Sequence, residues 1–308
     1  MPLTAPAAAT RTTSTLKGIG LMCLALALFS CLDVTAKYMA TVVQLPVTQV
    51  VWLRFVSQLL LMLLVVGVVA IPRLLTTQRP KQQLARSALM LASTVMNFLA
   101  LRHLRLDQTQ TVYFLTPLLV ALLAGPFLGE WVGWRRLLAI LVGFCGILVV
   151  VRPGLVAFDP ALILAFGSML AYSAFMLLTR YLATYDAPQV TLFYSLLAGT
   201  TIMAPLALVD WEWPADARVW LLLASMGFWG GLGHYIFIIA YRHANASTLA
   251  PFIYLGLITH TLGGYLVFDQ IPDRWTLAGA AIVIASGVFL LHRERVTIAQ
   301  RRIARERG

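Results

Sequence analysis

The chain has 308 residues, 60% of them hydrophobic and only 11% charged. A soluble domain of this size carries about 25% charged residues, so the composition excludes one and points to an integral membrane protein. The formal charge of +11 implies no nucleic-acid partner, because the basic residues stand at the ends of apolar runs and in the final RERVTIAQRRIARERG, not on an aromatic-laced soluble face.

In chain order, the leading MPLTAPAAATRTTST lacks a periodic apolar face, and residues 1–16 are expected to be a disordered tail. Arg11 and Lys17 then precede an apolar run ending in LFSC, which has the look of a cleavable leader. Phe29 is too bulky beside such a cleavage point, and long apolar segments follow, so the run reads as a first spanning helix. Runs of roughly 18–25 apolar residues bounded by charge, Pro or Gly predict ten spans. They cover residues 17–42, 47–71, 83–102, 108–128, 134–151, 160–181, 188–209, 217–240, 246–268 and 275–291. The expected fold class is all-α, with short connections and no soluble domain. Cys23, Cys31 and Cys145 all fall inside these runs, so no disulfide framework follows.

Ten spans put both termini on one side. Sixteen Lys and Arg residues fall on that side and five on the other, with Lys37 and Arg54 inside spans. The positive-inside rule makes the termini cytoplasmic. FSCLDVTAKYM at 29–39 aligns with YSAFMLLTRYL at 172–182, and ALRH at 100–103 echoes AYRH at 240–243. This reads as a duplication over residues 17–152 and 153–292, followed by a basic tail at 293–308. Five spans per copy force opposite orientations, and such inverted repeats mark secondary transporters with a midplane site between the halves.

The module-ending stretch LTPLLVALLAGPFLGEWVGWRRLLAILVGFCGILVV, with Pro117, Glu130, Gly143 and Gly146, resembles the paired EamA-type modules of the drug/metabolite transporter superfamily. The second copy, FIYLGLITHTLGGYLVFDQIPDRWTLAGAAIVIASGVFLL, departs from that pattern. Asp269-Gln270 replaces Gly-Glu, and no Pro matches Pro117. Arg54 in WLRF and Lys37 also match positions that the family commonly fills with Arg and Lys. The resemblance implies a ten-helix carrier of small metabolites in a bacterial inner membrane, often an exporter, without ATP hydrolysis of its own. Amino acids, aromatic ones favoured, are the substrates it suggests.

The charges raise a sharper question. LFSCLDVTAKYMA places Asp33 and Lys37 at membrane depth, where an ionisable side chain costs about 2.5–3.5 kcal/mol and marks a functional or a paired site. Their i, i+4 spacing puts them on one helical face, able to pair. Arg54 stands within reach of the same carboxylate. We therefore expect either a structural ion cluster of Asp33, Lys37 and Arg54, or a net positive site for a substrate carboxylate or for coupling. The shared family positions favour the structural reading.

By helical rise, Ser30, Thr116, Tyr172 and Trp229 reach the midplane, with Tyr254 and His260 on either side of it. Tyr113 and Asn97 join them as candidate substrate contacts. Each aromatic can equally be packing. In GFWGGLGH, four glycines thin one helix beside Trp229, serving either close packing or a bend.

Other function classes leave fainter traces. Of five histidines only His234 and His260 are embedded, too few for a two-haem bundle, and no phosphate-loop or H-E-x-x-H motif is present. No enzyme activity, metal, cofactor or protein partner is implied; the expected partners are a small-molecule substrate and the bilayer. The alternatives are an importer of nucleotide-like or sugar-like metabolites, for which the midplane offers few polar contacts beyond Asn97 and Gln110, and a membrane haem protein or scaffold.

Overall fold

The computed structural model describes residues 7–116, 118–120, 122–123, 134–151, 159–182, 185–243, 252 and 255–306. Most of these are helical, with no strand among them. The helices are α1 (Ala7–Thr41), α2 (Val47–Val66), α3 (Pro80–His103), α4 (Leu106–Tyr113), α5 (Trp134–Val151), α6 (Ala161–Leu182), α7 (Pro188–Val209), α8 (Ala217–His243), α9 (Gly256–Phe268) and α10 (Arg274–Glu306). A four-residue helical turn, Ile71–Leu74, precedes α3.

Six of them, α1, α2, α3, α6, α7 and α8, are long and apolar enough to cross a membrane. The apolar helical stretches Leu141–Val150, Gly256–Phe268 and Arg274–Phe289 are shorter. Large apolar side chains such as Leu64, Val65, Leu206 and Leu266 point outward, as they must where hydrocarbon replaces water. The chain is a multi-pass membrane protein.

Local chemistry explains most helix ends. Pro80 and Pro188 open α3 and α7, where a missing N–H costs nothing. Helix α2 ends at Val66, five residues short of the expected boundary, and is capped by Gly67, whose φ of 87° suits a residue without Cβ. Helix α4 closes at Tyr113, with Pro117 four residues later in the sequence. Two expectations change at the termini. The stretch expected to be disordered is helical from Ala7, and α10 runs past 291 to Glu306. Ala, Arg, Gln and Glu are strong helix formers that let a spanning helix propagate beyond its apolar part.

Packing settles the glycine run. Helix α8 is unbroken through GFWGGLGH. A Cβ on Gly227 would lie 2.4 Å from the Ser57 backbone carbon, and one on Gly233 would lie 2.8 Å from the Phe29 ring. These glycines let α8 press on α2 and α1, so close packing is their role. The same device joins α5 to α10, where Gly146 and Gly279 face each other's carbonyls. The main core surrounds fully buried Phe55 and Met39. A second core surrounds Phe114, Leu118 and Met169 and reaches Val283 of α10.

Candidate functional site

Helix α1 presents Ser30, Asp33, Val34 and Lys37 at i, i+3, i+4 and i+7, a single stripe. The expected Asp33–Lys37 pair does not form. Lys37, 4% exposed, donates instead to the carbonyl oxygens of Leu101 (2.7 Å) and Leu104 at the end of α3. Those carbonyls belong to the last turn of a helix, where acceptors lack intrahelical donors. Indeed, the Arg105 N–H that would serve Leu101 goes to Gln108. A buried ammonium thus caps α3 and also lies 5.5 Å from the centre of the Phe268 ring. Arg54 takes a different course, donating to Thr94 (3.1 Å) and lying 4.9 Å and 5.9 Å from the centres of the Phe55 and Phe98 rings.

Asp33 is therefore free for other partners. Its Oδ1 accepts from Asn97 of α3 at 3.2 Å, and its Oδ2 lies 3.1 Å from Nε2 of His260 of α9. The other ring nitrogen of His260, Nδ1, is 2.8 Å from the Gly256 carbonyl one turn back. Glycine again makes this approach possible. A Cβ on Gly263 would stand 2.5 Å from Val34 and 3.4 Å from Ser30, so α9 can lie directly on the Asp33 stripe.

A second polar group lies one turn along α3. Tyr113 bonds to Ser168, which donates to the Ser93 carbonyl at 2.6 Å. The Tyr113 ring tilts against Tyr172 (5.8 Å), and Tyr172 stacks on Phe175 (5.7 Å). Phe175 in turn lies 4.2 Å under the guanidinium of Arg86. Sequence reasoning assigned Arg86 to the inner loop charges and passed over Ser93 and Ser168. Arg86 is buried, donating to Thr179, Ser195 and the Thr191 carbonyl. The missed signal was a polar stripe along α3, with Gln83, Arg86, Ser87, Ser93, Thr94 and Asn97 at helical spacing.

The anticipated contacts thus divide into groups. Asn97 and His260 converge on Asp33. Tyr113 and Tyr172 meet each other, and Ser30 is buried beside Gly263. Thr116 is buried with its hydroxyl unpartnered, as is the Asn97 Oδ1. Trp229 donates to Ser225 on its own helix and joins the apolar packing against α1. Tyr254, Pro117 and Glu130 lie outside the described residues. At the ends of α1, α3 and α9 an open pocket of ≈ 790 Å³ is lined by Lys37, Arg102, His103 and residues 265–270. Its Lys37 wall is one helical turn from Asp33.

A polar centre held by helices from distant parts of a membrane chain agrees with the comparison to protein families. The EamA-like transporter family matches residues 16–152 and again 159–292. The chain belongs to the EamA-like transporter family. Among relatives of this EamA-like chain is a riboflavin transporter of Vibrio cholerae, 29% identical over 85% of this chain and 88% of that protein. An S-adenosylmethionine uptake transporter of Rickettsia felis is 27% identical over 93% and 96%. The pseudopaline exporter CntI of Pseudomonas aeruginosa is 25% identical over 89% and 95%. One solved crystal structure has the same fold, with a TM-score of 0.62 and 18% identity, covering 92% of this chain and 99% of that one. In this EamA-like transporter, Asp33 and Asn97 come from the first matched segment and His260 from the second.

Proposed function

We propose that this EamA-like protein is a secondary transporter that moves small polar metabolites bearing a flat ring across a bacterial inner membrane by alternating access. The two modules, 17–152 and 153–292, act as inverted five-helix repeats rocking about a site near the midplane, with both termini in the cytoplasm. The observation that carries this reading is the Asp33 centre. A carboxylate at membrane depth is bonded by one helix from each family-matched segment, and carboxylates are rare there outside functional or paired sites. Tyr113, Tyr172 and Phe175 supply stacked aromatic surface, which holds flat apolar groups by burial at about 25 cal/mol per Å².

Export of aromatic amino acids is the narrower form of this reading. The relatives named for riboflavin and S-adenosylmethionine lean it toward heteroaromatic rings with polar chains. Counterflow in proteoliposomes tests it, with labelled riboflavin, S-adenosylmethionine, tryptophan and phenylalanine as the panel. Saturable exchange of at least one compound is expected, reduced at least tenfold by Tyr172→Ala. Folded protein that exchanges none of them would overturn the proposal.

A further inference from the structure

The Asp33–His260 contact carries more than its distance. A carbonyl oxygen has only lone pairs to offer, so the 2.8 Å contact between His260 Nδ1 and the Gly256 oxygen requires the hydrogen on Nδ1. Nε2 of a neutral ring then presents a lone pair toward Asp33 Oδ2 at 3.1 Å. A carboxylate oxygen also has only lone pairs. The contact is attractive only if one more proton lies in it, either as imidazolium facing carboxylate or as imidazole facing carboxylic acid. The His260 side chain is 5% exposed and that of Asp33 22%, so water does little to relieve two facing lone pairs.

The surroundings make that proton exchangeable. From α2, Arg54 acts on Asp33 through space, and Lys37 stands one turn along α1. Both cations oppose an added proton, so the direct contact holds it and not the surrounding field. Tyr113 faces the centre from α4, whose outer end carries the self-paired Arg105 and Asp107. From α3 comes Asn97, which does not titrate. His234 of α8 is turned onto the Phe29 ring at 4.8 Å, and Asp269 closes the far end of α9.

We propose that Asp33 and His260 form a one-proton site whose occupancy depends on α1 and α9 staying together, so that transport is coupled to proton movement. The inference rests on the alternating-access reading above. When the two halves part, Asp33 and His260 lose each other, and the proton that only their contact retained is released. When they close, one proton is taken up. The proton belongs to the contact between them and to neither residue alone.

Unfolding equilibria of the purified full-length protein in mixed micelles at pH 6 and pH 9 test the proton site without any substrate. In Asp33→Asn the amide offers Nε2 a hydrogen that alkali does not remove. Wild type should therefore lose at least tenfold in its folding constant relative to Asp33→Asn between pH 6 and pH 9. A double-mutant cycle of Asp33→Leu and His260→Phe should show coupling at pH 6 that disappears at pH 9. A wild-type to Asp33→Asn ratio that stays constant, or coupling equal at both pH values, would overturn the proton site. In proteoliposomes, a transmembrane pH gradient should accelerate wild-type flux of whichever panel compound exchanges, and indifference to the gradient would overturn the coupling. If the panel shows no exchange at all, the transporter reading falls while the stability comparison still decides the proton site.

Discussion

Lys37 separates two accounts of the buried charges. If it were paired with Asp33, neutralising Asp33 would strand a buried cation at a cost of about 3–5 kcal/mol, and removing both charges would restore stability. The observed bonds run from Lys37 to Leu101 and Leu104 and from Asp33 to Asn97 and His260. Lys37→Met thus deletes two charge-assisted hydrogen bonds at about 1.5–3 kcal/mol each, a gross loss of about 3–6 kcal/mol. Relief of the ammonium's desolvation offsets several kcal/mol of that, leaving a net loss of about 1–3 kcal/mol. Asp33→Asn keeps both contacts near neutral pH, with its oxygen accepting from Asn97 and its amide donating to His260, and should cost less than about 1 kcal/mol. The double variant should be additive within about 1 kcal/mol. Denaturant titration in mixed micelles at pH 7, read by tryptophan fluorescence, measures all four proteins. A loss above about 3 kcal/mol in Asp33→Asn that Lys37→Met rescues would refute the reasoning and reinstate the ion pair.

Gly227→Ala drives a methyl group into the Ser57 backbone at 2.4 Å. It should lower stability by about 1–3 kcal/mol, whereas Gly20→Ala, with nothing within 4 Å, should be neutral or stabilising in the same melt; equal effects would refute the packing role. Asp186, outside the spans, ties the segment before α3 to the one before α7. Burial raises its pKa, but hydrogen bonds from Thr77, Gln83 and the Gln78 N–H outweigh that and bring it below the usual value. A lowered carboxylate pKa contributes stability that is present above the unfolded value of about 3.9 and lost as pH falls through the folded one. Asp186→Asn should therefore melt below wild type at pH 7, with the gap starting to close only as pH falls below about 4; a gap unchanged down to pH 3 would count against the bond network.

Much was legible before any coordinates. Apolar runs ended by Pro, Gly and charge located most helices, because hydrocarbon requires each segment to satisfy its own backbone groups. The cost of charge at depth singled out Asp33, Lys37 and Arg54, and helical rise put Ser30, Thr116, Tyr172 and Trp229 at the midplane with Tyr254 and His260 on either side of it. Local spacing could not choose partners. The i, i+4 rule offered Lys37 to Asp33, but the end of α3 brought two donor-starved carbonyls to the ammonium. Gly263, in contact with Val34, brought His260 to the carboxylate. Arg86 looked like a loop charge until α6 and α7 surrounded it with Thr179, Ser195 and the Thr191 carbonyl. A sequence determines which groups must find partners once water is removed. Which partner each one finds depends on helices distant in the chain, and only their packing brings those groups within hydrogen-bonding distance.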